Sequence, residues 1–167
     1  MIFSCTKKVL DKIRKYKTIE IEKEEIGFYN WYVDLLNLER KNYFLFTNSK
    51  TLFSFFVYAG TKNELKSIEE IFQTKLKELI DREIGSNTKN FENLFPVNKK
   101  FRFLKTNSRS ILGSMNDFKH QIKIQLQHKG ELKYSYDLIN HLINEMPMGS
   151  LKYSQPVELM KKELESK

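Results

Sequence analysis

The spacing of apolar residues changes several times along the chain, and each change marks an element boundary. Ile2 to Cys5 is a short apolar run that predicts a strand. It leads into a helix starting near Thr6, with Val9, Leu10 and Ile13 on one face and Thr6 placed to cap it. Residues 17–27 are charged, end at Gly27 and predict a surface connection. Strand-like runs follow: Trp31 to Leu38, Tyr43 to Thr47 and Leu52 to Ala59 are rich in aromatic and aliphatic residues. They are parted by Glu39-Arg40-Lys41-Asn42 and Asn48-Ser49-Lys50-Thr51, which suit tight turns, so a three-stranded antiparallel meander is expected. Both parities of the third strand are apolar, Phe53, Phe55 and Val57 against Leu52, Phe56 and Tyr58. That strand is therefore expected to be central or covered on both faces.

From residue 61 the period becomes helical. Thr61 and Glu64 form a capping box, Leu65, Ile68, Phe72, Leu76, Leu79 and Ile80 make an apolar stripe, and Gly85 supplies a stop, which predicts one helix over 62–84. Residues 86–98, rich in Asn and containing Pro96, predict the longest loop, anchored by Phe91, Leu94 and Phe95. Phe101 to Thr106 predicts a strand, Asn107-Ser108 a turn, and Arg109 to Leu112 a second short strand that stops at Gly113. Ser114 then caps a helix carrying Met115, Phe118, Ile122 and Leu126 on one face, with Gly130 at its end. Ser135 caps another helix with Leu138, Ile139, Leu142, Ile143 and Met146, Pro147 closes it, and Pro156 opens a last short helix. These elements predict an α+β fold: a mainly antiparallel twisted sheet of four to six strands with helices 62–84 and 115–128 packed against it. One domain is expected over 1–167, its C-terminal helical segment spanning about 134–165.

Composition narrows the partners. The lone Cys5 and the scattered histidines at 120, 128 and 141 show no metal-ligand spacing, so a fold without metal or cofactor in a reducing, cytoplasmic setting is expected, with Cys5 a buried structural residue. The apolar start at Ile2-Phe3 is too short for a signal peptide, and no segment approaches the ~18 apolar residues of a membrane span. Lys plus Arg number 29 against 21 Asp plus Glu, a formal charge of +8, which favours nucleic acid or a nucleotide as partner and leaves a protein partner open.

The best candidate for a site is the turn Gly113-Ser114-Met115-Asn116-Asp117 with Arg109 upstream. A glycine lets backbone approach a ligand closely, amides at a helix start face an anion, and Arg109 adds charge, so Arg109, Gly113, Ser114 and Asn116 are candidate anion ligands. The same residues serve equally as a capping box of Ser114 and Asp117. Arg40 and Lys41 join this list as hairpin-tip cations; Asn48 and Ser49 occupy the turn at the other end of the middle strand. Asp34 and Glu39-Arg40-Lys41 are similar to the Asp and Glu-x-Lys set of metal-dependent nucleases, yet residues five apart on one strand point to opposite faces. The stripe Phe44, Phe46, Phe53, Phe55 and Phe56 suits base stacking if exposed and core packing if not; strand spacing favours core.

Trp31 through Arg40-Lys41, Thr47-Asn48-Ser49 and Arg109-Ser110-Ile111-Leu112-Gly113-Ser114-Met115-Asn116-Asp117, with the opening Cys5-Thr6-Lys7-Lys8, resemble an uncharacterised bacterial family, a domain of unknown function. The resemblance covers nearly the whole chain and implies a small single domain; it implies no activity, substrate or catalytic residue. Leu142 to Pro147 with Leu151 to Glu158 also resembles the tail of insertion-sequence transposases, but the preceding chain lacks their three-carboxylate core. The reading these features support is a non-enzymatic accessory or regulatory protein that binds an anionic ligand, nucleic acid or a nucleotide. The alternatives are a metal-dependent nuclease or other small enzyme of mobile-element or defence systems, and a protein-interaction module such as an antitoxin.

Overall fold

The computed structural model describes residues 1–22, 25–38, 40–85, 91, 95, 100–127 and 135–167. Its strands are β1 (Ile2–Cys5), β2 (Asn30–Leu38), β3 (Lys41–Asn48), β4 (Ser54–Tyr58) and β5 (Arg102–Lys105), in the order β4-β3-β2-β1-β5. β2, β3 and β4 form the expected meander of antiparallel pairs. β1 pairs in parallel with both β2 and β5, so the sheet is mixed rather than mainly antiparallel, within the expected α+β class. Connection length is the physical reason: the segments from β1 to β2 and from β4 to β5 both contain helices and are long enough for the crossover that parallel pairing requires.

Six α-helices lie among the described residues: α1 (Lys7–Ile13), α2 (Lys62–Lys66), α3 (Ile68–Glu83), α4 (Arg109–Gln127), α5 (Tyr136–Glu145) and α6 (Pro156–Glu165). None is long and apolar enough to cross a membrane. One face of the sheet packs Phe3, Trp31, Val33, Phe46 and Phe55 against α1, α3 and α6, with Phe72 of α3 fully buried. The opposite face packs Tyr32, Leu36, Leu45 and Phe56 against Ile111, Met115, Phe118 and Ile122 of α4 and Ile139 and Ile143 of α5. The phenylalanine stripe is therefore core. Phe91 and Phe95 are buried anchors as expected; Leu94, like the stop at Gly130, lies outside the described residues.

The apolar double face of β4 has its explanation here. β4 is an edge strand, not a central one, but helices cover both of its faces. Its open edge is sealed by α5. The Asn144 side chain accepts from Ser54 N–H at 2.7 Å and donates to Ser54 C=O at 2.7 Å, and Asn140 accepts from Phe56 N–H at 2.9 Å and donates to Phe56 C=O at 3.4 Å. Two amides one helical turn apart thus stand in for a neighbouring strand.

Local signals explain the remaining boundaries. The capping box at Thr61 and Glu64 is present, but the helix expected over 62–84 is broken at Ser67 (φ −100°, ψ 26°), which ends α2 and begins α3. Gly85 stops α3 with φ +97°, a left-handed conformation suited to glycine. Thr6 stands at the N-cap position of α1, yet its hydroxyl does not cap; it donates to Asp34 Oδ1 at 2.6 Å. Ser135 caps α5 by accepting from Leu138 N–H at 3.2 Å, and Pro156 occupies the first turn of α6.

Candidate functional site

Strand direction decides which residues share an end of the sheet. β1, β2, β4 and β5 run the same way and β3 runs against them, so four carboxyl ends point in one direction: β1 and β5 stop level with Val33 of β2, β4 stops level with Leu36, and β2 runs on to Leu38. Lys7 and Lys8 follow β1, Arg40 lies in the turn after β2 with Lys41 opening β3 next to it, Lys105 ends β5, and Arg109 begins the helix after it. All six side chains are exposed, and none has an ion-pair partner among the described residues.

A buried polar cluster lies where β1 ends. Asp34 of β2 is 7% exposed; it receives the Thr6 hydroxyl and the Leu35 N–H (2.7 Å) on one oxygen and the Lys119 ammonium on the other. The adjacent Cys5 is fully buried, and burial, then the Asp34 charge, pushes its thiol far above the ordinary range. It is an inert thiol, as the sequence suggests. Lys119 was not among the candidates, although a lysine within the stripe Met115, Phe118, Ile122 is a visible signal of a buried partner.

The structure distributes the sequence-derived candidates differently. Residues 109–112 are helical, not a strand: α4 starts at Arg109, and its cap is Ser108, whose hydroxyl accepts from Ile111 N–H at 3.5 Å. Gly113 and Ser114 are therefore interior to the helix, where their amides belong to the helical hydrogen-bond ladder and are not free to face an anion. Ser114 is buried and sits 3.4 Å from Ser110 C=O and 3.1 Å from the Ser150 hydroxyl. Gly113 is exposed, and a Cβ built there meets nothing within 4 Å, so no close approach requires glycine. Arg109 and Asn116 are exposed on α4. Arg40, at φ 65°, and Lys41 hold the β2–β3 turn, where pairing continues to Leu38 and Lys41.

Asn48 and Ser49 lie at the opposite end of β3, as expected, and they serve the fold. Asn48 is fully buried, donates to Phe28 C=O at 2.8 Å and accepts from the N–H groups of Lys50 and Thr51 at 3.0 Å each. Ser49 exchanges hydrogen bonds with Gly27, accepting at 2.9 Å and donating at 3.0 Å. Glu39, the second carboxylate of the nuclease-like set, lies outside the described residues, and Asp34 is engaged by Lys119. Among the described residues no three His, Cys, Asp or Glu side chains gather in a metal-ligand group.

One comparison bears on kinship. The family model described as a domain of unknown function, DUF6933, matches residues 2–159. The chain belongs to this family. No curated protein and no solved structure matches it. The DUF6933 match runs from β1 into α6, so it takes in the Asn48 turn, the Ser108-capped helix, the six exposed cations and the amides that seal β4.

Proposed function

We propose that the protein is a non-catalytic accessory factor that binds nucleic acid through the phosphate backbone, using the carboxyl end of the sheet. One observation carries this reading: Lys7, Lys8, Arg40, Lys105 and Arg109 end or follow strands of the same direction, Lys41 stands next to Arg40, and all six are exposed without ion-pair partners among the described residues, while Asp34, bonded by Thr6 beside Lys7, is neutralised by Lys119. Phosphate contacts made by such side chains release condensed counterions, so binding is non-specific and salt-dependent. Of the candidates that the sequence named, Arg109, Arg40 and Lys41 belong to this set of six, and Gly113 and Ser114 take no part.

Titration of labelled single- and double-stranded oligonucleotides tests it. If four phosphates on a single strand are neutralised, affinity falls roughly 50-fold between about 50 and 200 mM salt, a slope of about −0.7 per contact. Replacing Lys7, Lys8 and Arg109 by Ala lowers that slope by about 2 and leaves thermal stability nearly unchanged. Absence of binding at low salt, or a slope untouched by the triple variant, overturns the proposal.

A further inference from the structure

Beyond the sealed part of the β4 edge there is an open cleft of about 720 Å³ lined by Phe56, Tyr58, Lys75, Ser135, Tyr136 and Asp137. That volume is within the ordinary range of small-ligand sites, roughly 300–1,000 Å³. Its walls are aromatic. Tyr58 is 43% exposed and Tyr136 39%, and both stand edge-on to the buried ring of Tyr43, with centroids 5.7 Å and 5.5 Å from it. The Tyr43 and Tyr136 hydroxyls are 2.8 Å apart, which fixes the Tyr136 ring.

The cleft also presents one unmet main-chain pair. Residues 55 and 57 of β4, and Ala59 just after it, bond inward to β3, so the main-chain groups of 54, 56 and 58 point outward. Asn144 satisfies Ser54 and Asn140 satisfies Phe56. The N–H and C=O of Tyr58 are next in line and have no partner among the described residues. One helical turn before Asn140, the α5 position that would carry a third amide is Tyr136.

The two charges that line the cleft, Lys75 and Asp137, pair with each other. Lys75 contacts Asp137 at 2.6 Å and Glu78 at 2.9 Å, and the Lys75 hydrogen bond holds the Asp137 carboxyl below its usual range. A ligand therefore meets two part-exposed tyrosine rings and a donor–acceptor pair, not net charge, which suits a neutral planar group and not a phosphate. Tyr58 ends β4, at the sheet end that also carries Arg40 and Lys41, and Ala59 N–H bonds Asn42 C=O beside them at 2.8 Å.

We propose that this cleft takes one unpaired nucleobase of a bound single strand, stacked on Tyr58 and Tyr136 and hydrogen-bonded by its edge to the Tyr58 main chain. The proposal rests on the nucleic-acid reading above and narrows it to single strands, because a base inside a duplex cannot offer its face.

The test compares labelled dT12 with an abasic deoxyribose-phosphate oligomer of equal length at low salt. The wild-type protein binds dT12 about tenfold more tightly or better, the gain expected of one stacked base. Tyr58→Ala and Tyr136→Ala bring dT12 down to the abasic level with the salt slope unchanged, Tyr136→Phe keeps the gain, and Tyr153→Ala, at a tyrosine 79% exposed outside the cleft, changes nothing. Ultraviolet cross-linking of unaltered protein to an oligomer carrying 5-iododeoxyuridine labels a peptide containing Tyr58 or Tyr136, independently of any variant's folding. Equal affinity for the two oligomers, or cross-links only elsewhere, overturns the base site while leaving the phosphate reading standing. Failure of both oligomers to bind overturns the phosphate reading and the base site with it.

Discussion

Gly113 sits in the second turn of α4 with open space where a Cβ would be, and Ser108 holds the cap that the sequence suggested for Ser114. Glycine inside a helix costs about 0.5–1 kcal/mol relative to alanine, so Gly113→Ala stabilises the protein by that amount in a denaturant titration. Ser108→Ala costs about 1 kcal/mol through the lost cap. A destabilised Gly113→Ala variant, or an unaffected Ser108→Ala, would return the helix start to residue 114. Cys5 supplies a second prediction. Its folded thiol titrates far above the free value because of burial and the nearby Asp34 charge. The unfolded chain releases this proton above about pH 8.5 while the folded chain keeps it, so the contribution is complete below that pH and declines as pH rises. The loss is up to about 1.4 kcal/mol per pH unit, and Cys5→Ala removes this alkaline limb when unfolding is compared between pH 8 and 10. The native thiol, for the same reason, does not react with a thiol reagent until the protein unfolds.

At the scale of elements, the join between α5 and β4 is the most exposed to test. Asn144→Leu leaves the Ser54 N–H and C=O without partners in a buried place, costing about 1–3 kcal/mol for each orphaned group. It also frees a strand edge, so size-exclusion profiles shift towards larger species. A variant that stays monomeric and equally stable would mean that the amides are incidental. These two asparagines were invisible in the sequence because they lie among Ile139, Leu142 and Ile143, and period alone does not show what an Asn on a buried face is bonded to. Elements with a strong local signal were legible: β1, the meander, the Thr61 capping box, the Ser135 cap and the Pro156 start all stand where pattern puts them. The missed start of α4 has a plain cause. Ile111 and Leu112 already belong to the stripe of Met115, Phe118 and Ile122, but a mid-helix glycine followed by Ser and Asp imitates a stop and a cap. Parallel pairing of β1 was not legible at all, since strand direction follows from how long connections pack and not from the strand's own residues. For the same reason the sequence named Arg40, Lys41 and Arg109 but could not show that the strands before them run the same way as the strand before Lys7 and Lys8.

Across the whole molecule, the two cores share one sheet, and every layer depends on it. Phe3 of β1 touches Phe46, Phe72 and Phe103, so the first strand, the third helix and the last strand meet in one cluster, to which Val157 and Met160 of α6 also belong. On the other face α4 and α5 pack on side chains of the same β2, β3 and β4. Neither core can lose its helices without exposing the back of strands that the other core needs, so the two should melt together as a single domain. The protein carries its own probe for this. Trp31 is the single tryptophan, fully buried beside Phe55 and Phe72 on the α3 face, and its indole N–H has no partner among the described residues, so its emission reports an apolar core. Far-UV circular dichroism reports α4 and α5 on the opposite face together with α3. Unfolding in guanidinium followed by both signals gives coincident transitions with one midpoint and one slope. A tryptophan transition displaced from the dichroism curve, or a plateau between two steps, would show that each face unfolds separately and that the shared sheet does not couple them.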